Sequence, residues 1–179
     1  MTHEAPFSSD AERWREISNF PTYSVSSWGR VRNDESGVII SATRNSHDLP
    51  IVGLMSYNQQ RGRSVQSKRA LPLLVACAFV PEHSNVNFGT PVHLDGDRTN
   101  NHYTNIVWRP LWFARRYMVQ FTDDHITLDE PVEDVETFEI YKSSMHASTV
   151  HGLLDEQLLL SMHNNTYVWP TGQIFRRAL

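Results

Sequence analysis

The chain is predicted to adopt an α+β fold, with a small β-rich module at the front, a mixed centre and a helix-turn-helix-like tail. Three observations predict it. Short aromatic and β-branched runs broken by Gly, Pro and Asn fill Arg13 to Val38. An unbroken apolar run, LPLLVACAFV, spans Leu71 to Val80. A helix–glycine–helix pattern, SSMHASTVHGLLDEQLLLSMHNN, turns at Gly152.

In chain order, residues 1–12 lack periodicity and are expected to form a flexible arm. Residues 13–60 form the first module, where RWREISNFPTYSVSSWGRVRNDESGV implies short strands and tight turns. Strand alternation puts Tyr23, Val25 and Val31 in a small core and projects Arg30 and Arg32 outward. Residues 61–120 form the central module. Its apolar run is a buried helix or strand bounded by Pro72 and Pro81, and Pro110 suits the first turn of a helix over PLWFARRYMVQF. Residues 121–134 are an acidic linker. Residues 135–179 carry the helical pair, with Met145, Val150, Leu153, Leu154, Leu158, Leu159 and Met162 on its inner faces.

A hydrophobic fraction of 40% with 11% aromatics supports a packed core in the 179 residues and argues against global disorder. No apolar run approaches the ~20 residues of a membrane span, and the acidic, polar start is not a signal peptide. Cys77, the lone cysteine, reads as a buried packing residue, which leaves no disulfide framework or cysteine zinc site. The expected location is therefore the cytoplasm, bacterial or phage-infected. The net charge of −4 is unevenly spread: 13 Lys+Arg face 10 Asp+Glu up to residue 120, and 3 face 10 beyond it. The front suits a polyanion and the tail does not.

The stretch Val92 to Trp108, VHLDGDRTNNHYTNIVW, fits neither helix nor strand. Its short amide and carboxylate side chains bond readily to nearby backbone, so they lock a loop. A neutral histidine in such a loop can activate water for phosphodiester hydrolysis, with a divalent metal supplying charge at the leaving oxygen.

His93, Asp95, Gly96, Asn100, Asn101, Asn105 and Trp108 follow the spacing H-x-D-G-x-x-x-N-N-x-x-x-N-[LI]-x-W. Through these residues the chain resembles the HNH homing endonucleases of phages and mobile introns, the His-Me finger group. LLVACAFVP (Leu73 to Pro81) is similar to the segment preceding that motif in the family, and WREISNFPTYSVSSWGRVR to the NUMOD-type DNA-binding module often fused to it. ETFEIYKSSMHAS with the second helix resembles a helix-turn-helix module more weakly. The resemblance implies a ββα-metal core acting as a metal-dependent DNA endonuclease, with Mg²⁺ or another divalent ion as cofactor and double-stranded DNA as partner. His93 would be the general base, and Asn105 would hold the loop or orient that histidine. Asp95, Gly96, Asn100 and Asn101 would shape the turn, and Trp108 would begin the packing against the helix.

Two positions depart from the family. Val92 stands where a metal-binding Asp or Asn often precedes the base, and Ala114 where an asparagine ligand follows the tryptophan. Neither can donate oxygen to a hard cation. Asp95 or Asp97 is a candidate substitute, and the metal ligands are left unassigned. A second reading is therefore kept: a catalytically inactive HNH-derived protein that binds DNA or serves in protein assembly. Candidate phosphate contacts are Arg30, Arg32, Arg61, Arg63, Lys68, Arg69, Arg115 and Arg116. His102 reads as a surface group, and His146 and His151 are five apart, off the i, i+4 spacing of a zinc helix. Asp155 and Glu156 suit a helix N-terminus but would repel phosphate. The tail thus reads DNA through Arg176 and Arg177, or contacts a protein partner through its acidic surface.

Overall fold

A computed structural model describes residues 11–60, 62–122, 125 and 127–178. Most of the expected arm, residues 1–10, and the candidate contact Arg61 lie outside the described residues. The chain forms two compact units that meet in sequence at Phe79 and Val80.

The first unit contains two antiparallel sheets and a helix. Strands β1 (Trp14–Ile17), β2 (Phe20–Ser26), β3 (Val31–Asn33) and β4 (Ile39–Ile40) pair in sequence order. Strands β5 (Thr43–Arg44), β6 (Pro50–Asn58) and β7 (Arg63–Ala70) form the second sheet. Alternation decides what is buried: Tyr23, Val25 and Val31 in one sheet and Val52 and Leu54 in the other are all within the core. Tyr23 ties the sheets together, its Oη accepting the Met55 amide at 3.3 Å. The module boundary expected at residue 60 falls in the turn of the long β6–β7 hairpin.

Helix α1 (Leu71–Phe79) resolves the helix-or-strand ambiguity of the apolar run. It buries Leu71, Pro72, Val75 and Ala76, the i, i+4 stripe of a surface helix. Cys77 lies off that stripe and is exposed, which corrects its expected burial. An all-apolar run carries no sign of which side faces in.

In the second unit, β8 (Thr90–His93) and β9 (Ile106–Arg109) form an antiparallel hairpin with His93 opposite Ile106. Helix α2 (Leu111–Val119) runs back along it, with Pro110 as N-cap. Phe113, Ala114 and Tyr117 face the hairpin, and the Tyr117 hydroxyl donates to the Leu94 carbonyl at 2.8 Å. This is the expected ββα order. Three further strands, β10 (Val132–Asp134), β11 (Ile140–Tyr141) and β12 (Phe175–Arg177), form a sheet with β10 at its centre. The segment expected as an acidic linker thus ends in a core strand, with Val132 fully buried.

Helices α3 (Ser144–His151) and α4 (Asp155–Asn164) complete the unit. The Ser143 hydroxyl caps α3 by accepting the His146 amide, and Gly152 ends it in the left-handed region at φ 63°. A Cβ on Gly152 would also meet the Leu94 side chain at 2.9 Å, so backbone freedom and close packing both require glycine. Leu153 and Leu158 join Val132, Tyr141, Ala147, Val168 and Phe175 in one cluster, with Met162 partly buried against it. Val150, expected on an inner face, is exposed; Ala147 takes that role. Among the described residues no helix is long and apolar enough to cross a membrane.

Candidate active site

His93 ends β8, and the loop that follows is held by its own side chains. Asp95 and Asn105 form a reciprocal pair: the Asp95 amide donates to Asn105 Oδ1 at 3.1 Å, and Asn105 Nδ2 donates to Asp95 Oδ1 at 2.8 Å. The same Nδ2 reaches the Asn100 carbonyl at 2.9 Å, while Asn100 Nδ2 donates to Asp95 Oδ2 at 2.7 Å. Asp97 Oδ1 accepts from the Thr99 amide and hydroxyl. Gly96 sits at φ 74°, and a Cβ there would lie 2.6 Å from the Phe121 ring. The loop is therefore pinned from inside by carboxylate and amide groups and from beneath by an aromatic ring.

Asn101, rather than Asn105, touches the histidine. Its Nδ2 donates to the Arg98 and Thr99 carbonyls, which turns Oδ1 toward His93 Nε2 at 3.1 Å. An amide oxygen only accepts, so the proton sits on Nε2 and Nδ1 carries the free lone pair. The His93 side chain is buried, and that burial pulls its pKa below the ordinary value, opposed in part by the Asn101 bond. The imidazole is therefore neutral at pH 7, the form a base requires, yet only 3% of the residue is exposed. Asn105 supports the loop and not the ring.

The positions where the family resemblance implies metal ligands are apolar and buried. Val92 and Ala114 join Phe113, Tyr117 and Leu154 in one cluster, with Val107 and Phe121 packed against it. Asp95, a candidate substitute, spends both carboxylate oxygens inside the loop. Among the described residues no three His, Cys, Asp or Glu side chains are placed to hold a metal ion. Val92, Ala114 and Asp95 therefore offer a divalent cation no uncommitted side-chain oxygen. A shallow depression beside the loop is lined by Leu94, Asp95, Asn105 and, from α3, His146, Thr149 and Val150.

The basic candidates are dispersed. Arg30 pairs with Glu12 and Arg32 with Asp34, and both guanidinium groups lie over the Trp14 ring, at 5.6 and 4.5 Å. Arg63, Lys68 and Arg69 are exposed on the edge strand β7, with Arg69 over the Phe20 ring at 5.2 Å. On α2, Arg115 is exposed and Arg116 pairs with Glu156. Arg176 pairs with Glu133 across its own sheet, and Arg177 with Glu130 just before β10.

Three polar groups, the buried Arg109 and Asp155 and the half-buried His151, escaped sequence reasoning. Arg109 lies in β9 with no carboxylate partner among the described residues; Nε and Nη2 donate to the Gly152 and His151 carbonyls at 3.0 and 2.9 Å. It caps the negative end of α3 and stands over the Phe113 ring. Asp155, expected to present charge at a helix start, is fully buried. His125 Nε2 donates to its Oδ2 at 2.9 Å, the Ser148 hydroxyl lies against Oδ1, and its amide donates to Gln120 Oε1. His151 bonds the Tyr141 hydroxyl at 2.8 Å, where burial lowers its pKa. A basic residue directly before Pro110 was the only available signal for the first; nothing in the sequence pairs residue 125 with 155.

Residues 12–55 match the NUMOD4 motif. A solved structure of the HNH homing endonuclease I-HmuI, described for its DNA binding and cleavage, aligns with a TM-score of 0.49 at 20% identity. The alignment covers 93% of this chain and 98% of that one. No curated protein matches the chain. The chain therefore carries a NUMOD4 motif at its front and, in its ββα loop, is similar to the HNH homing endonucleases.

Proposed function

We propose that this chain is a DNA-binding protein built on an HNH-like ββα frame that no longer cleaves DNA. The NUMOD4 match over residues 12–55 supports the binding half, because modules of that type are fused to homing endonucleases as DNA-binding elements. Arg30, Arg32, Arg63, Lys68 and Arg69 are the candidate cations of the first unit; the guanidinium groups of Arg30, Arg32 and Arg69 lie beside rings, and exposed or half-buried cations of this kind suit phosphate contact. Glu12 and Asp34 occupy Arg30 and Arg32 as phosphate oxygens would, so binding exchanges one anion for another.

The observation that carries the loss of cleavage is the apolar cluster, closed by Leu154, that holds Val92 and Ala114, the positions of the implied metal ligands. Without oxygen donors there, charge developing on the leaving oxygen is unopposed, and a neutral base alone does not supply that term.

The endonuclease reading is favoured by one observation, the neutral His93 whose Nε2–H is held by Asn101 in an intact loop, leaving the lone pair on Nδ1. Plasmid nicking in Mg²⁺ and in Mn²⁺, beside His93→Ala, separates the two. Bound but uncut plasmid supports the proposal; cleavage that disappears in the variant overturns it. A salt series on duplex affinity tests the binding half, since phosphate contacts require a steep loss as salt rises. A flat series would remove the assignment of those arginines.

A further inference from the structure

The second unit carries an aromatic surface that neither the loop nor the core uses. The turn closed by the Val168–Gln173 bridge lays Trp169 against the first turn of α2, where it stacks on Trp112 with centroids 5.4 Å apart and planes at 25°. Phe113 and Phe88 pack beneath Trp169 at 5.6 Å. Burying Phe113 needs no exposed indoles, yet Trp112 and Trp169 remain 49% and 42% exposed. Two half-open, mutually ordered indoles on one face are unusual for a surface with no ligand.

Position and charge narrow the ligand. Tyr117 bonds the Leu94 carbonyl and Phe121 covers Gly96, so the far end of α2 reaches the His93 loop and Trp112 stands at the opposite end. Trp112 is followed at i+3 and i+4 by Arg115 and Arg116, the neighbours it meets on a helical surface. Arg115 is exposed, and α2 contains no acidic residue. Flat π-faces flanked by cations are the composition of single-strand nucleic acid sites, where bases stack and phosphates run beside them. A protein ligand would need a carboxylate placed to meet Arg115, whereas every nucleotide carries a phosphate.

We infer that the Trp112–Trp169 pair with Arg115 is a stacking platform for an unpaired DNA base, separate from the duplex contacts of the first unit. This rests on the DNA-binding reading above. The test uses the full chain with fluorescein-labelled oligo(dT) and a labelled duplex of equal length. Trp112→Ala and Trp169→Ala are expected to weaken oligo(dT) binding roughly tenfold each and to leave duplex affinity unchanged, with Trp112→Phe restoring most of the loss. Arg115→Gln is expected to flatten the salt dependence of oligo(dT) binding. Unchanged oligo(dT) affinity in Trp112→Ala, with duplex binding intact, overturns the platform and spares the DNA-binding reading. A wild-type chain that binds neither probe overturns both. Concentration-dependent dimers lost in Trp112→Ala would make a second copy the occupant and also overturn the inference.

Discussion

The loop from Leu94 to Asn105 and the apolar cluster beneath it hold the same site by opposite means. The loop is a closed set of polar bonds: Asp95, Asn100, Asn101 and Asn105 satisfy one another, the backbone and His93. The cluster is pure packing, with Val92, Phe113, Ala114, Tyr117 and Leu154 in contact and no carboxylate among them. The geometry around His93 therefore holds with only apolar side chains in the cluster below it, because the loop's own bonds supply the rigidity. Leu154, the residue before α4, fills the space against Val92 and Ala114 and so joins the helical pair to the ββα element.

The largest break in that contrast comes from returning oxygen ligands to the cluster. Val92→Asp with Ala114→Asn is expected to cost roughly 3–5 kcal/mol, because a carboxylate without a partner enters a dry site; urea unfolding reads it. Stability within about 1 kcal/mol of wild type would mean the cluster accepts charge, a result suited to a latent metal site. Leu154→Ala should cost about 3 kcal/mol through the cavity it leaves, with both helical and ββα amides losing protection in hydrogen exchange. Protection lost from α4 alone would show that Leu154 does not couple the two.

Asn105→Ala removes three loop bonds and is expected to cost about 2 kcal/mol. The His93 ring resonances should shift little, since Asn101 holds the ring; a large shift would return Asn105 to the orienting role. The smallest effect is in pH. His93 and His151 both have pKa values lowered by burial, so the unfolded chain binds protons first as pH falls. Stability is then full above about pH 7 and declines below the ordinary histidine value near 6.5, by at most about 1.4 kcal/mol per pH unit for each group. His93→Gln should flatten that decline, and an unchanged slope would place the titration elsewhere.

Much of this was legible in the sequence. The seven-position motif marked a locked loop with His93 at its head, and the proline before α2 and the glycine after α3 marked helix ends. Strand alternation gave Tyr23, Val25 and Val31 their burial. Other features depend on neighbours that only folding brings together. Cys77 is outside because α1 turns its other face inward, and Val150 is outside because α3 turns Ala147 into the core instead. Asp155 is silent as a surface charge because His125 and Gln120 meet it from thirty or more residues away. Asn101 and Asn105 are equivalent in a motif; carbonyl positions alone decide which one faces the ring.

The most direct measurement is a Mn²⁺ titration of the full chain followed by electron paramagnetic resonance, with His93→Ala as control. An apolar cluster at Val92 and Ala114 predicts that neither protein binds a stoichiometric ion and that the two titrations superimpose. One tightly held Mn²⁺ per wild-type chain, absent from the variant, would contradict the account and restore a working metal centre.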